Sequence, residues 1–165
     1  MPISQTILVG AEAGAPHSAL GIEAVVKVTG GQTSGAFSIV EMVLPRGLLV
    51  PPHMHERTSE VSYILEGELG AMVGDDELQA GPGSFVVRPK CVVHALWSAG
   101  GRSVRLLDMY TPAGFEAFGE EMARRFSITP PTPEQLIEIG RRHDVIFFPE
   151  LAPRLIQKHN LRMPG

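Results

Sequence analysis

The chain has 165 residues with a formal net charge of −4, and 44% of its residues are apolar. This length and composition predict one domain, residues 1–165, with a substantial core. The chain lacks the run of basic residues that a nucleic-acid partner would require, and it lacks an apolar run long enough to cross a membrane. Its one cysteine cannot form an internal disulfide, and no secretory signal is evident, so we expect a cytoplasmic protein.

Residues up to about 110 are predicted to form a series of short strands. Apolar and β-branched segments are separated by turn signals rich in glycine, proline and aspartate, with no helical pattern between them. This spacing favours an antiparallel sandwich or barrel at about residues 20–110. The predicted strands are 22–28, 36–44, 61–67, 69–74, 84–89, 92–98 and 103–110.

After Tyr110 the pattern changes to that of two short helices, in an extension at about residues 111–165. Thr111-Pro112 and Thr132-Pro133 each place an N-cap residue before a proline suited to the first helical turn. The apolar residues that follow repeat at helical spacing. Both helices are too short to bury a core alone, so we expect them to pack outside the barrel or cover one end.

The stretch PPHMHERTSE, residues 51–60, raises the question of a metal site. His53 and His55 are two apart, so a strand would direct both imidazoles to the same face. Glu60 has the wrong parity for one continuous strand, but a turn through residues 56–59 would present it from the next strand. His94, in the centre of the apolar segment VVHALWS, is the candidate for a fourth ligand because a buried imidazole needs a partner. A solvated surface turn is the alternative for the first three residues.

The spacing of these residues resembles the first motif of the cupin superfamily. The match in this sequence is Gly47-x5-His53-x-His55-x4-Glu60-x6-Gly67.

The second cupin motif is matched in part. Gly83, Pro89 and His94 stand where the family has them, whereas Cys91 replaces a frequent glycine and Ser98 a frequent asparagine. The flanking stretches TGGQTSGAFSIVEMVLPRG and TPAGFEAFGEE resemble small single-domain cupins similar to quercetin dioxygenases.

The resemblance implies an all-β jelly-roll barrel with two short C-terminal helices packed outside, and one divalent metal near its centre. The implied ligands are His53, His55, Glu60 and His94, a set of three histidines and one glutamate that suits Fe, Mn, Ni, Co, Cu or Zn. Glu60 has a second possible role, as the base that accepts a substrate proton. Small cupins usually pair, so a homodimer is expected.

Three functions remain open at this point. The first is a metal-dependent dioxygenase that acts on an aromatic or enolic small molecule. The second is a metal-dependent isomerase or lyase, for which Arg57 and Arg88 are the nearest candidates to bind a phosphate. The third is a non-catalytic cupin that binds a metal or a small molecule.

Several other side chains carry expectations that the structure can test. Tyr63 has the opposite parity to Glu60 and should face outward. Phe115 and Phe118 are expected to make ordinary helix-to-barrel contacts rather than a lid, and Cys91 is expected to be a buried, inert thiol. Four apolar residues are expected to be core but could line a cavity: Met42, Leu44, Leu96 and Met109.

Overall fold

The computed structural model describes residues 7–126 and 128–164. These residues form eleven strands and three α-helices. The strands are β1 (Ala15–Pro16), β2 (Glu23–Val28), β3 (Ser38–Leu44), β4 (Leu49–Met54), β5 (Ser59–Glu66), β6 (Leu69–Val73), β7 (Asp76–Ala80), β8 (Phe85–Arg88), β9 (His94–Ser98), β10 (Val104–Thr111) and β11 (Ile146–Phe147). The helices are α1 (Glu116–Phe126), α2 (Pro133–Arg142) and α3 (Ala152–His159).

The strands form two antiparallel sheets that face each other as a jelly roll. One sheet has the order β1-β2-β3-β10-β5-β8, and the other has the order β11-β4-β9-β6-β7. Side chains from both sheets meet in the main core, where Leu44, Ile64, Leu96 and Leu106 are almost fully buried. The all-β jelly-roll prediction is therefore confirmed.

Strict alternation along β5 determines which side chains face the barrel interior. Glu60, Ser62 and Ile64 are buried, whereas the residues between them are partly exposed. Tyr63 lies outside and packs on Phe85 of the edge strand β8, with ring centroids 4.7 Å apart. The outward orientation predicted for Tyr63 is confirmed, because alternate residues of a strand point to opposite faces.

Four strands are absent from the predicted series: β1, β4, β7 and β11. The series lacked β4, although the paired histidines implied a strand there and prolines such as Pro51 and Pro52 suit an edge or the start of a strand. It also lacked β7, whose sequence DELQA is polar and half exposed. Both strands gain their partners only through the sheet, since β4 pairs with β9 and β7 pairs with β6.

The two predicted helices are present as α1 and α2, and α3 was not predicted. The predicted N-cap at Thr111 is wrong, because Thr111 ends β10 and α1 begins at Glu116. Thr132 caps α2 with a reciprocal capping box to Gln135, as its sequence indicates. Helix α3 packs Ala152 and Leu155 on the outside of the five-stranded sheet, against a cluster that includes Trp97. The extension also adds β11 to the barrel, where it pairs with β4. Within the described residues, no helix combines the length and apolar character needed to cross a membrane.

Two tight turns explain residues of the cupin motifs. Gly67 has a φ of 80°, and a Cβ there would lie 2.4 Å from the Ser103 carbonyl oxygen. Only glycine tolerates that position. Cys91 also has a left-handed φ, 63°, which explains why a glycine suits this position. The expectation that Cys91 is buried is wrong, because the turn exposes its side chain to solvent.

Candidate metal centre

The four predicted ligands come together inside the barrel from three strands. His53 lies near the end of β4 and pairs across the ladder with His94, the first residue of β9. His55 follows one residue after β4, and the turn at residues 56–58 leads into β5, which delivers Glu60 from the opposite sheet. The ligand atoms of all four buried residues lie within 4.8 Å of one another. The prediction that a turn separates Glu60 from the histidines is thus confirmed.

Each histidine is oriented by a backbone carbonyl. The Nδ1 atoms of His53, His55 and His94 lie 2.8, 2.6 and 3.0 Å from the carbonyl oxygens of Pro51, Asp144 and Val92. A carbonyl can only accept, so each Nδ1 must carry the proton. Each Nε2 is then left with a free lone pair, the arrangement typical of histidine ligands whose other nitrogen is held by an outer partner.

The Nε2 atoms converge on one another and on Glu60. The Nε2 atoms of His53 and His94 are 3.2 Å apart, and His55 Nε2 lies 2.8 Å from Glu60 Oε1. His55 Nε2 is buried and has no aligned hydrogen-bond partner. Three acceptor nitrogens and a carboxylate would repel one another if left alone, and a divalent first-row cation satisfies all four. The residues therefore fit the metal that the sequence implies.

Electrostatics favour the metal-binding forms of His53 and Glu60. Burial, together with the neighbouring His94, lowers the pKa of His53 well below its usual value. Burial raises the pKa of Glu60, but Arg88 and the two histidines beside it outweigh burial and hold that pKa well below its usual range. Burial lowers the pKa of His55, and the Glu60 carboxylate more than reverses this, so the net shift is upward. Glu60 is therefore an anion and His53 is neutral.

Asp144, in the turn after α2, organises the ligand loop and was missed by the sequence analysis. Its carbonyl holds His55, and its carboxylate accepts hydrogen bonds from the backbone nitrogens of Glu56 and Arg57 at 3.0 and 3.1 Å. Thr58 adds a third, weaker contact at 3.3 Å. The C-terminal extension is thus part of the metal centre's support. A polar residue between two helical segments gives no sign of this in the sequence.

A cavity of about 370 Å³ opens from the metal centre. Its walls in the barrel are mainly apolar, and they include Val40, Met42, Val50 and Leu96. Of the four apolar residues considered above, Met42 and Leu96 line this cavity, whereas Leu44 lies in the core. The polar end of the cavity is formed by His53, Glu60, Arg88, Asp108 and Tyr110.

Helices α1 and α2 close the other side of the cavity. Phe115 stacks on Tyr110 at 4.2 Å and meets the His55 ring edge-to-face at 5.5 Å. Phe118 also lines the cavity. Phe115 therefore makes the expected helix-to-barrel contact with Tyr110, Phe118 contacts Phe147 of β11, and both residues also line the cavity. Glu116 fixes the start of α1, because its carboxylate accepts hydrogen bonds from the backbone of Gly30 and Gly114.

Three comparisons with known proteins agree with this geometry. A family model described as a cupin domain matches residues 40–110. The quercetin 2,3-dioxygenase of Bacillus subtilis is 28% identical over 106 residues, which cover 63% of this chain and 31% of that enzyme. The chain therefore spans less than a third of the length of this curated relative.

The solved structures that resemble the chain share its fold. A predicted oxalate decarboxylase from Thermotoga maritima superposes with a TM-score of 0.58 at 19% identity, covering 64% of this chain and 99% of that one. An RmlC-like cupin from Shewanella frigidimarina gives 0.56 at 21% identity, covering 66% and 93%. The two motifs, the jelly roll and the convergent histidines agree with the matched cupin domain, so the resemblance of this chain to cupins is confirmed over residues 40–110.

Proposed function

We propose that the protein is a metal-dependent dioxygenase that acts on an aromatic or enolic small molecule. The observation that carries this proposal is the mainly apolar cavity of about 370 Å³ whose polar end contains the candidate ligands His53 and Glu60. Such a cavity suits a flat apolar molecule that presents one oxygen-bearing edge to the metal. The relation to a quercetin 2,3-dioxygenase supports the same substrate class.

Different residues of the chain would have different roles in such a reaction. A metal held by His53, His55, Glu60 and His94 would supply Lewis-acid binding of the substrate oxygen and redox chemistry toward dioxygen. Glu60, ionised and first a ligand, would turn away once substrate binds, accept the proton of the substrate hydroxyl and leave the more reactive enolate. The apolar walls and Phe115 would hold the ring of the substrate and exclude water from the polar end.

An isomerase or lyase acting on a sugar phosphate is less well supported. A phosphate would need a cationic side chain that faces the cavity. Arg57 is 75% exposed and lies beside Asp144, and Arg88 is already placed between Glu60 and Asp108. Both arginines that the sequence suggested are therefore paired with carboxylates of the chain.

The proposal is tested by oxygen uptake. Protein loaded separately with Fe(II), Mn(II), Ni(II) and Co(II) is supplied with flavonols and catechols in an oxygen electrode. We expect uptake with at least one metal, loss of uptake in His55→Ala, and wild-type uptake in His159→Gln. His159 is a matched control because it stacks on Trp97 outside the five-stranded sheet and touches none of the ligands.

The possible results separate the three functions. No oxygen uptake with any metal and substrate would contradict the dioxygenase proposal. Ligand binding without turnover would instead favour a non-catalytic binding cupin. The homodimer stays a prediction, and size-exclusion chromatography with light scattering tests it by the mass in solution.

A further inference from the structure

Arg88 is buried at the polar end of the cavity and is not one of the four candidate ligands. We propose that Arg88 is a positioning residue for Glu60: it binds Oε2 of the carboxylate and leaves Oε1 as the oxygen that Glu60 offers to a metal. This inference rests on the metal centre and is independent of the oxygen chemistry proposed above.

The sheet register places Arg88 opposite Glu60. The two residues are direct partners across β5 and β8, and Tyr110 of β10 is the partner of Glu60 on the other side. Asp108 of β10 lies directly across from Ser62 of β5. All five residues are buried, so three adjacent strands direct one continuous polar patch into the barrel.

The two oxygens of Glu60 have different neighbours. Oε1 lies 2.8 Å from His55 Nε2. Oε2 lies 3.0 Å from Arg88 Nε and 3.3 Å from His94 Nε2, so the guanidinium is its nearest cation. The Arg88 Nε–H is not aligned for a hydrogen bond, so this contact is an ion pair. A carboxylate held at one oxygen offers the other oxygen to an ion, which makes Glu60 a one-oxygen ligand.

Arg88 can orient Glu60 because Arg88 is itself fixed. Its Nη2 donates to Asp108 Oδ1 at 2.7 Å. Asp108 also accepts a hydrogen bond from the Ser62 hydroxyl, and the Tyr110 hydroxyl lies 3.4 Å from its other oxygen. The side chains of Arg88 and Asp108 are only 1% and 2% exposed, so water does not compete for these contacts. Outer partners of this kind typically contribute 10–100-fold to metal affinity.

The charge of Arg88 and its contact with Glu60 should affect metal affinity in opposite directions, so the test must separate the two effects. Removing Arg88 alone would remove a positive charge near the ion, which by itself strengthens cation binding. The double variant Arg88→Gln/Asp108→Asn removes one charge of each sign, and the net charge of the site stays the same. Any change in metal binding then comes from the lost contacts with Glu60.

The measurements are the affinity for Co(II) by calorimetry and the visible absorption of the Co(II)-loaded protein. We expect the double variant to bind Co(II) about 10–100-fold more weakly and to show an altered absorption spectrum. In a Glu60→Gln background, the same pair of substitutions should change the affinity by less than about twofold, because Arg88 acts through Glu60. A folded double variant with wild-type affinity and spectrum would overturn the proposal. A tenfold loss in the Glu60→Gln background would overturn it too.

A second variant keeps the test decisive if the double variant does not fold. Arg88→Lys retains the charge, but one ammonium group cannot occupy both the position of Nε beside Glu60 and that of Nη2 beside Asp108. We expect a smaller loss of Co(II) affinity, about threefold to tenfold, with an altered spectrum. Wild-type values for Arg88→Lys would overturn the proposal. Arg105→Gln is the control, because Arg105 bridges Glu41 and Glu66 away from the metal centre and should leave both measurements unchanged.

Discussion

Two arginines of the six-stranded sheet, Arg88 and Arg105, show how location changes the value of the same contact. Arg88 on β8 lies between Glu60 and Asp108 inside the barrel, at 3.0 and 2.7 Å. Arg105 on β10 lies between Glu41 and Glu66 on the outer face, at 2.7 and 3.1 Å. The distances are alike, but the Arg88 side chain is 1% exposed and the Arg105 side chain is 44% exposed.

This difference shows that distances alone do not determine how much an ion pair contributes to stability. Water and salt screen the outer arginine, and water can replace either carboxylate if Arg105 is removed. Inside the barrel, each charge has already lost its water, so removal of one partner leaves another charge buried and unpaired. The inner pair is therefore costly to break, and it lies where the metal ligands must be held in place.

The largest expected effect is on stability. Arg88→Leu should lower the free energy of unfolding of the metal-free protein by about 3–5 kcal/mol, because it leaves Glu60 and Asp108 buried without a cation. Urea unfolding followed by circular dichroism measures this loss, and Arg105→Leu serves as the matched control. A loss as small as that of the control would remove the contrast between the two faces.

Metal binding should stabilise the folded protein by somewhat less than the roughly 3–5 kcal/mol that Arg88→Leu is expected to cost. Free Mn(II) at 100 times its Kd should raise the free energy of unfolding by about 2.7 kcal/mol in the wild type and equally in Arg105→Gln. In His55→Ala at the same Mn(II) concentration, the gain should fall below about 0.5 kcal/mol, because a Kd about 100-fold higher would no longer lie below that concentration. An undiminished gain in His55→Ala would mean that Mn(II) binds elsewhere.

Glu77 on β7 extends the comparison to a carboxylate of intermediate exposure. Lys158, Arg154 and His159 of α3 surround it and lower its pKa from 4.5 to about 2. Because the folded pKa is the lower one, the stabilisation is complete above about pH 4.5 and is lost as the pH falls toward 2. The stability difference between wild type and Glu77→Gln should therefore shrink across this range.

Urea unfolding at several pH values between 2 and 6 measures that difference. Glu150→Gln is the control, because Glu150 is exposed just before α3 and should differ little from wild type at any pH. A Glu77→Gln difference that does not change with pH would show that the charge of Glu77 contributes nothing to the attachment of α3.

The smallest effect is expected on the outer face. Arg105→Gln should lower the free energy of unfolding by about 0–1 kcal/mol, and 1 M NaCl should remove most of this loss. Urea unfolding at low and high salt provides the measurement. A loss of several kcal/mol that persists in salt would show that this pair is shielded from solvent, contrary to its exposure.

Much of the metal centre could be predicted from the sequence because its ligands are local. His53, His55 and Glu60 lie within eight residues, and strand alternation plus one turn determines their directions. His94 could be added because the cupin motifs supply a spacing for it. The register of β4 and β9 places His94 directly beside His53, as a shared metal site requires.

The residues that support the ligands could not be predicted in the same way. Arg88 and Asp108 are ordinary charged residues in strands, and only the neighbouring positions of β5, β8 and β10 make them a pair. Asp144 lies 89 residues from His55 in the chain. The extension was expected to be helical, but its β11 pairs with the ligand strand and its Asp144 holds the ligand loop.

The sequence by itself determined an antiparallel sandwich or barrel and the grouping of His53, His55 and Glu60, because these depend on short-range spacing and on the period of a strand. The resemblance to cupins added the jelly roll and the complete set of four candidate ligands. Only the tertiary structure decided which charges are buried, that Phe115 and Phe118 line the cavity, and that Cys91 is exposed. Burial and pairing of this kind arise when distant segments pack together. The same arginine can therefore lie in a solvated surface pair or beside the metal centre, according to the face of the sheet that it occupies.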